Sequence, residues 1–426
     1  MIETIHPVSA LRGTVRLPGD KSISHRYGML ASIAEGTSVI SNYSSGADCH
    51  STLGCMQAMG ARIEKNGTEI TIHGVGREGL QAPAAMLDAG NSGSTIRMLS
   101  GILAAQPFVS KIGGDESLSK RPMARIMKPL AEMGAAIDAQ DGKFPPLTIH
   151  GATLRPIDYT LPVASAQVKS CVLFAGIYAD GKTIVREPIV TRDHSEIALR
   201  EFGAEVESRR GEISIAGRAA LKAKNLTVPG DLSSAAFFLV AALLRPGSRI
   251  AIQGVGLNPT RSSLMDFLAA GGASLRVLNI AEGSGEVIGD ILIEHSRWRG
   301  GILEKSMTAA LIDEIPVLAV LGAASEEGLI VRDAAELRVK ETDRIATVAE
   351  NLKRMGIEVA VREDGFDVPG KQKFRAAALD SFGDHRIAMA FSVAALAADG
   401  PCEMHDPGAA SVSFPEFYNM LRSLSA

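Results

Sequence analysis

Apolar residues at helical spacing and short runs that alternate apolar with polar residues follow one another along this chain in a recurring order. A helical segment closes on Met-Gly-Ala or a near variant, and a strand, a turn and a second strand come next. The copies read MQAMGARIEKNGTEITIHG from Met56, LAEMGAAIDAQDGKFPPLTIHG from Leu130, LREFGAEVESRRGEISIAG from Leu199, a looser LAAGGASLRV from Leu268, and LKRMGIEVAVREDGFDVPG from Leu352. Gly60, Gly134, Gly203, Gly272 and Gly356 hold the same point in each, 74, 69, 69 and 84 residues apart. A helix stops where a residue can take positive φ, which accounts for the glycine. A sixth unit has only its closing helix, in YNMLRSLSA at the C-terminal end. The count predicts three units in each half of the chain.

A second echo places the boundary between the halves. LPGDKSISH at Leu17 to His25 returns as VPGDLSSAA at Val228 to Ala236, each ahead of a long helical segment. Pro-Gly marks a turn, and the Asp after it can cap a helix. The expected division is therefore one domain over 19–228 and a second over 1–18 plus 229–426, with the chain crossing near 18–20 and 228–231. The short strand before Pro18 completes the second domain in this reading.

Length and composition fit that picture. A chain of 426 residues exceeds one ordinary core. With 46% hydrophobic residues, 4% aromatics and 43 glycines, it reads as a turn-rich α/β protein packed with small aliphatics. The 44 basic and 48 acidic residues leave a formal charge of −4, so no overall field favours nucleic acid or a membrane, and any anion site must be local. The longest apolar run, Ala235 to Leu244, falls short of the roughly 18 residues of a spanning helix. No signal-peptide pattern occurs in Met1 to Gly13. The four cysteines, at 49, 55, 171 and 402, form neither a paired CxxC nor a disulfide framework. These features predict a cytoplasmic protein without structural zinc.

The candidate chemistry lies at helix starts. The positive end of a helix disfavours a cation by about 0.3 to 1 kcal/mol. Yet Lys21 and Arg26 sit in GDKSISHRYGMLASIA, Arg121 stands before Pro122 in SKRPMARIMKPLAEMG, Lys340, Glu341 and Arg344 open RVKETDRIATVAENLKRMG, and Arg386 follows Asp384 in GDHRIAMAF. Lys340 and Arg344, four apart on one predicted helix face, repel unless an anion lies between them. Solvated charges, with Glu341 pairing to Arg344, are the bland alternative. Two more helix starts, GNSGSTIRM at Gly90 and ASAQVKS at Ala164, offer bare amides suited to phosphate or carboxylate. Asp313, in LIDEIPVLAVLG, is read either as a cap for the helix that Pro316 begins or as a reacting carboxylate. GIYADGKT, Gly176 to Thr183, matches the GxxxxGK[ST] phosphate loop in letters, but helix precedes it and strand follows, the reverse of what that loop requires.

These phrases, LPGDKSISHR, GNSGSTIRM, SKRPM, ASAQVKS, TRDHSE, VPGDLSSAAF, DEIP, RVKETDR and GDHRIAMAF, resemble in order and spacing the enolpyruvyl transferase family, and within it the branch that acts on shikimate 3-phosphate. The resemblance runs over essentially the full chain. It implies an α/β monomer of two similar domains, each of three βαβαββ repeats in an inverse α/β barrel, with helix N-termini facing an interdomain cleft. It implies two substrates, phosphoenolpyruvate and shikimate 3-phosphate, with no metal, nucleotide, nucleic acid or membrane partner. Carried over position by position, Lys21, Ser22, Arg26, Ser165, Gln167, Arg192, Asp313 and Lys340 would hold shikimate 3-phosphate. Lys21, Gly93, Arg121, Gln167, Arg344 and Arg386 would surround phosphoenolpyruvate. Asp313 and Glu341 would exchange protons, and Lys21 would stabilise charge. Gly93 would leave room for the inhibitor glyphosate. Ala166 stands where relatives carry a second serine, and Val412 where many carry a lysine.

Two rivals remain open at this level. The sister enzyme acting on UDP-N-acetylglucosamine shares the fold, but its loop cysteine is missing, since GGDESLSKRP has Asp115. A non-catalytic phosphosugar-binding protein would keep the cations and dispense with Asp313 and Glu341.

Overall fold

The structure, a computed structural model, describes residues 1–425. Six small sheets carry the architecture, five of four strands and one of three among the described residues. One repeat shows the plan. Strand Leu87–Asp88 leads to helix Gly93–Leu103, strand Val109–Gly113, helix Ala124–Met133, and then strands Ala136–Gln140 and Phe144–His150. The first two strands pair in parallel across their helix, and the closing hairpin adds antiparallel, giving the order first, second, fourth, third.

The chain divides into two compact units, one of Gly19–Val228 with Gly283–Gly285, and the other of Met1–Pro18, Pro229–Glu282 and the chain from Glu286 onward. Each has its own apolar core, with no residue in both. The first sheet of each unit borrows its outer strand from a distant part of the chain. Leu226–Thr227 pairs with Glu35–Ser41 in one unit, and Arg12–Arg16 pairs with Arg249–Gly256 in the other. Ile2–Ile5 and Cys402–His405 pair antiparallel in the three-stranded sheet, so the incomplete sixth repeat is made up by the N-terminal strand.

Helix composition follows helix position. Leu232–Leu244, Ile315–Ala324 and His385–Ala395 are buried along nearly their whole length, because they are apolar all round. Ala124–Met133 and Arg344–Arg354 bury a single stripe each, Ile126, Leu130 and Met133 in one and Ile345, Val348 and Leu352 in the other. The helix-ending glycines Gly60, Gly134, Gly203, Gly272 and Gly356 all have φ between 76° and 110°, the left-handed region that a Cβ disfavours. No single helix among the described residues is long and apolar enough to cross a membrane.

Candidate active site

In the unit containing residues 19–228, the helices start close to one another, and their polar first turns are cross-linked. Asp20 caps Lys21–Ser32 by accepting from the Ile23 amide at 2.9 Å, which leaves Lys21 as the first helical residue. Lys21 Nζ meets Asp48 Oδ2 at 3.0 Å, at the start of helix Ala47–Ala58. Arg26 is buried and donates to the Ser22 carbonyl at 2.7 Å, to Ser195 Oγ at 2.7 Å and to Ser170 Oγ at 2.8 Å. That guanidinium thus ties together three helices, Lys21–Ser32, Ala166–Gly176 and His194–Glu201.

The amide-rich starts behave as their sequences suggest. Ser92 caps Gly93–Leu103 and Ser165 caps Ala166–Gly176, each accepting from the amide three residues on. Gln167 bridges them, accepting from Arg97 Nη1 at 2.8 Å and donating to Ser94 Oγ at 3.0 Å. Arg121 donates to the Asn91 carbonyl at 3.2 Å, to Asn91 Oδ1 at 2.8 Å and to Ser117 Oγ at 3.0 Å. A Cβ added to Gly93 would lie 2.9 Å from Arg97 Nη1 and 3.5 Å from Arg121 Nη1, so the bare glycine lets both guanidinium groups approach the main chain. Arg192 lies half-buried in the segment before helix His194–Glu201.

Behind Lys21 runs a buried chain of hydrogen bonds. His25 Nδ1 meets Thr52 Oγ1 at 2.6 Å, Thr52 meets Thr95 Oγ1 at 2.7 Å, and Thr95 donates to Ser92 Oγ at 2.8 Å. Burial, with Lys21 and Arg26 nearby, holds the His25 pKa well below the usual histidine range. The imidazole therefore adds no charge to this face at neutral pH.

The second unit arranges its helix starts around carboxylates. Arg344 is 1% exposed, and its guanidinium donates to Asp384 Oδ2 at 2.7 Å, to Asp384 Oδ1 at 3.2 Å and to Glu341 Oε2 at 2.6 Å. Asp313 Oδ1 stands 3.7 Å from Arg344 Nη1. Burial disfavours the Arg344 cation, but Asp384, Glu341 and Asp313 more than offset this and hold its pKa above the ordinary value. Arg386 donates to the Asp313 carbonyl at 2.9 Å and lies 3.8 Å from Glu314 Oε1. Asp384 also caps helix His385–Ala395 through the Arg386 amide. Glu314 in turn pairs with Arg261 at 3.0 Å, both buried. Burial lowers the Lys340 pKa and Arg344 lowers it further, against the pull of Asp313.

Three local expectations change. Helix Arg344–Arg354 begins at Arg344, with Asp343 accepting from the Ala346 amide, so Lys340 and Glu341 precede it and do not share its face with Arg344. Lys340 instead ends a 3-10 turn at Ala335–Val339; Asp343 is the better cap, and the polar residues before it have no apolar stripe to bury. Helix Ala124–Met133 starts two residues beyond Pro122, a residue type favoured at the first helical position, and Met123 stands at its N-cap place. Glu314, not Asp313, occupies the cap position of Ile315–Ala324. The GIYADGKT stretch is helix then strand, and Lys182 pairs with Glu207 at 3.0 Å on the surface.

A model of EPSP synthase (3-phosphoshikimate 1-carboxyvinyltransferase) matches residues 5–421. The chain belongs to the EPSP synthase family. A 3-phosphoshikimate 1-carboxyvinyltransferase of Solibacter usitatus is 63% identical over 425 residues, covering all of both chains. One of Koribacter versatilis is 52% identical over 99% of this chain and 98% of its own. The structure of EPSP synthase from Acinetobacter baumannii superposes with a TM-score of 0.88 at 44% identity, covering 100% of this chain and 98% of that one. The enolpyruvyl transferase NikO of Streptomyces tendae, at 20% identity and a TM-score of 0.79 over 99% of this chain and 97% of that one, shares the fold.

Beside this EPSP synthase family framework, several polar residues at the helix starts escaped the sequence reading. Asp48, Arg97, Arg261, Glu314 and Asp384 make contacts across 27 to 72 residues of chain. Asp384 and Arg97 lie inside phrases already singled out, GDHR and GNSGSTIRM, and a charged residue in such a phrase was the available signal. Asp48 had none beyond its place at a helix start.

Proposed function

We propose that this chain transfers the enolpyruvyl group of phosphoenolpyruvate to the 5-hydroxyl of shikimate 3-phosphate and releases phosphate. In the addition step the 5-hydroxyl attacks C2 of phosphoenolpyruvate while C3 gains a proton. The tetrahedral adduct then loses phosphate and a C3 proton. Lys21, Ser22, Arg26, Ser165, Gln167, Arg192, Asp313 and Lys340 hold shikimate 3-phosphate. Lys21, Gly93, Arg121, Gln167, Arg344 and Arg386 surround phosphoenolpyruvate, with Arg344 and Arg386 on its carboxylate. Asp313 accepts the hydroxyl proton, and Glu341 exchanges the proton at C3. Residues 19–228 act as one lobe and 1–18 plus 229–426 as the other, closing on the substrates. The enzyme works as a cytoplasmic monomer.

The observation that carries this reading is the buried Arg344 with Glu341 at 2.6 Å and Asp313 at 3.7 Å. One cation lies beside both proposed proton-transfer groups, at the unit's helix starts, and it supplies the positive charge that a substrate carboxylate needs. The Arg344–Glu341 contact also serves as a resting-state partner that the substrate carboxylate displaces.

The decisive assay is phosphate release from shikimate 3-phosphate plus phosphoenolpyruvate, without added metal or ATP. Release that requires both substrates is the expected result. Activity with UDP-N-acetylglucosamine and none with shikimate 3-phosphate would transfer the chain to the sister reaction. Lobe closure is checked by solution scattering, where shikimate 3-phosphate should reduce the radius of gyration.

A further inference from the structure

Between strand Lys182–Arg186 and helix His194–Glu201, the chain passes through 187–193 without regular secondary structure. Pro188, Ile189 and Val190 are exposed, and Thr191, Arg192 and Asp193 are half-buried. Apolar burial therefore does not anchor this segment. A side chain from beneath reaches it at several points. Lys169, fully buried in helix Ala166–Gly176, places its ammonium 3.1 Å from Glu187 Oε2, where the segment begins. It donates to the Thr191 carbonyl at 3.4 Å in the middle, and to Glu196 Oε1 at 2.8 Å just past the end. The Thr191 hydroxyl donates to the other oxygen of Glu187. Both glutamate side chains are only 2% exposed.

One ammonium and two carboxylates removed from water are a poor way to gain stability, since apolar residues of similar volume commonly serve as well or better. Direction is what the ionic arrangement adds, through contacts at three separate points of one segment. Burial pushes the Glu196 carboxyl up against the pull of Lys169, and Glu196 Oε2 has no hydrogen-bond partner, so the ammonium is the principal group holding that carboxylate in place. The same helix carries Ser165 as its cap and Gln167 in its first turn, and Ser170, next to Lys169, accepts from Arg26. Arg192 follows Thr191 directly.

We propose that Lys169 is a positioning residue for the phosphate-binding face: it ties Glu187, Thr191 and Glu196 to the helix bearing Ser165 and Gln167, and so sets Arg192 where it meets the phosphate of shikimate 3-phosphate. This rests on the transferase reading above. Lys169 touches no substrate itself.

Steady-state kinetics of the full chain test it. Lys169→Met should raise KM for shikimate 3-phosphate by about tenfold or more. KM for phosphoenolpyruvate and kcat should change by less than about threefold, because binding energy at one substrate is what is lost. Glu187→Gln, which keeps one ammonium with one carboxylate and so a charge-balanced pair, should raise the same KM to a smaller extent. It decides the question where Lys169→Met fails to fold. In an Arg192→Ala background, a change at position 169 or 187 should add no further rise, since both act through the missing guanidinium. Parallel rises in the two KM values, additive effects with Arg192→Ala, or an unchanged KM for shikimate 3-phosphate would overturn the positioning role. Wild-type protein that releases no phosphate would instead overturn the transferase reading.

Discussion

The two units differ in the groups that surround the arginines at their helix starts. In the unit of residues 19–228, Arg26, Arg97 and Arg121 are held by hydroxyls, carbonyls and amide oxygens, and the carboxylate of Asp48 pairs with Lys21. In the other, Arg344, Arg386 and Arg261 lie among Asp313, Glu314, Glu341 and Asp384. Neutral partners orient a cation without cancelling its charge, so the first arrangement suits a doubly charged phosphate. Carboxylate partners cancel charge but gain a tunable proton affinity, so the second suits proton transfer beside a carboxylate ligand. The helix starts are alike in backbone and differ in what neutralises them.

The contrast breaks most readily at Arg344. Removing it strands the fully buried Asp384 and two further carboxylates, so Arg344→Met should lose about 3–5 kcal/mol of stability, in addition to turnover. Arg192→Ala in the other unit, at a half-buried side chain, should cost about 1 kcal/mol, with its main loss showing in shikimate 3-phosphate binding. Urea unfolding midpoints of the two variants measure the difference, and equal midpoints would erase the distinction between the units.

Glu341→Gln sharpens the second half alone. It keeps a hydrogen-bond acceptor for Arg344 but removes the exchangeable proton, so turnover should fall by about 10²–10⁴-fold while shikimate 3-phosphate binding, read by calorimetry, is unchanged. Unchanged turnover would remove Glu341 from the chemistry.

Gly93→Ala probes the cationic half. The added methyl presses on the Arg97 guanidinium at 2.9 Å, the mobile end of a long side chain, so room is made by a small shift. Inhibition by glyphosate should weaken about tenfold more than phosphoenolpyruvate binding, and equal losses would refute the steric account.

The smallest effect concerns the polar chain behind Lys21. Because the His25 pKa is lowered in the folded protein, the unfolded chain protonates first as pH falls. The contribution is full above the unfolded value near 6.5 and declines below it, by at most about 1.4 kcal/mol per pH unit, until the folded pKa is reached. His25→Gln should flatten the stability profile between about pH 6.5 and 5. A variant with the same slope as wild type would exclude this histidine as its source.

Much of this was legible in the order of residues. The helix-ending glycines, the caps at Asp20 and Asp231, and the inverted order at GIYADGKT are local features, decided within a few residues by φ preference and by side-chain oxygens near free amides. Local reasoning failed where neighbouring residues compete for one cap position. Asp343 caps Arg344–Arg354 ahead of the residues before it, and Glu314 rather than Asp313 stands at the cap position of Ile315–Ala324.

The sequence alone determined the repeat, its glycine punctuation and which helix starts would carry charge, because each depends on neighbours a few positions away. Which charge meets which was left to the tertiary structure. Arg26 reaches Ser195 across 169 residues, Arg344 reaches Asp384 across 40, and Lys169 gathers Glu187 and Glu196 from a different segment. Those pairings exist only once separate repeats pack into one core, since the strength of a contact between charges depends on the distance and burial that packing imposes.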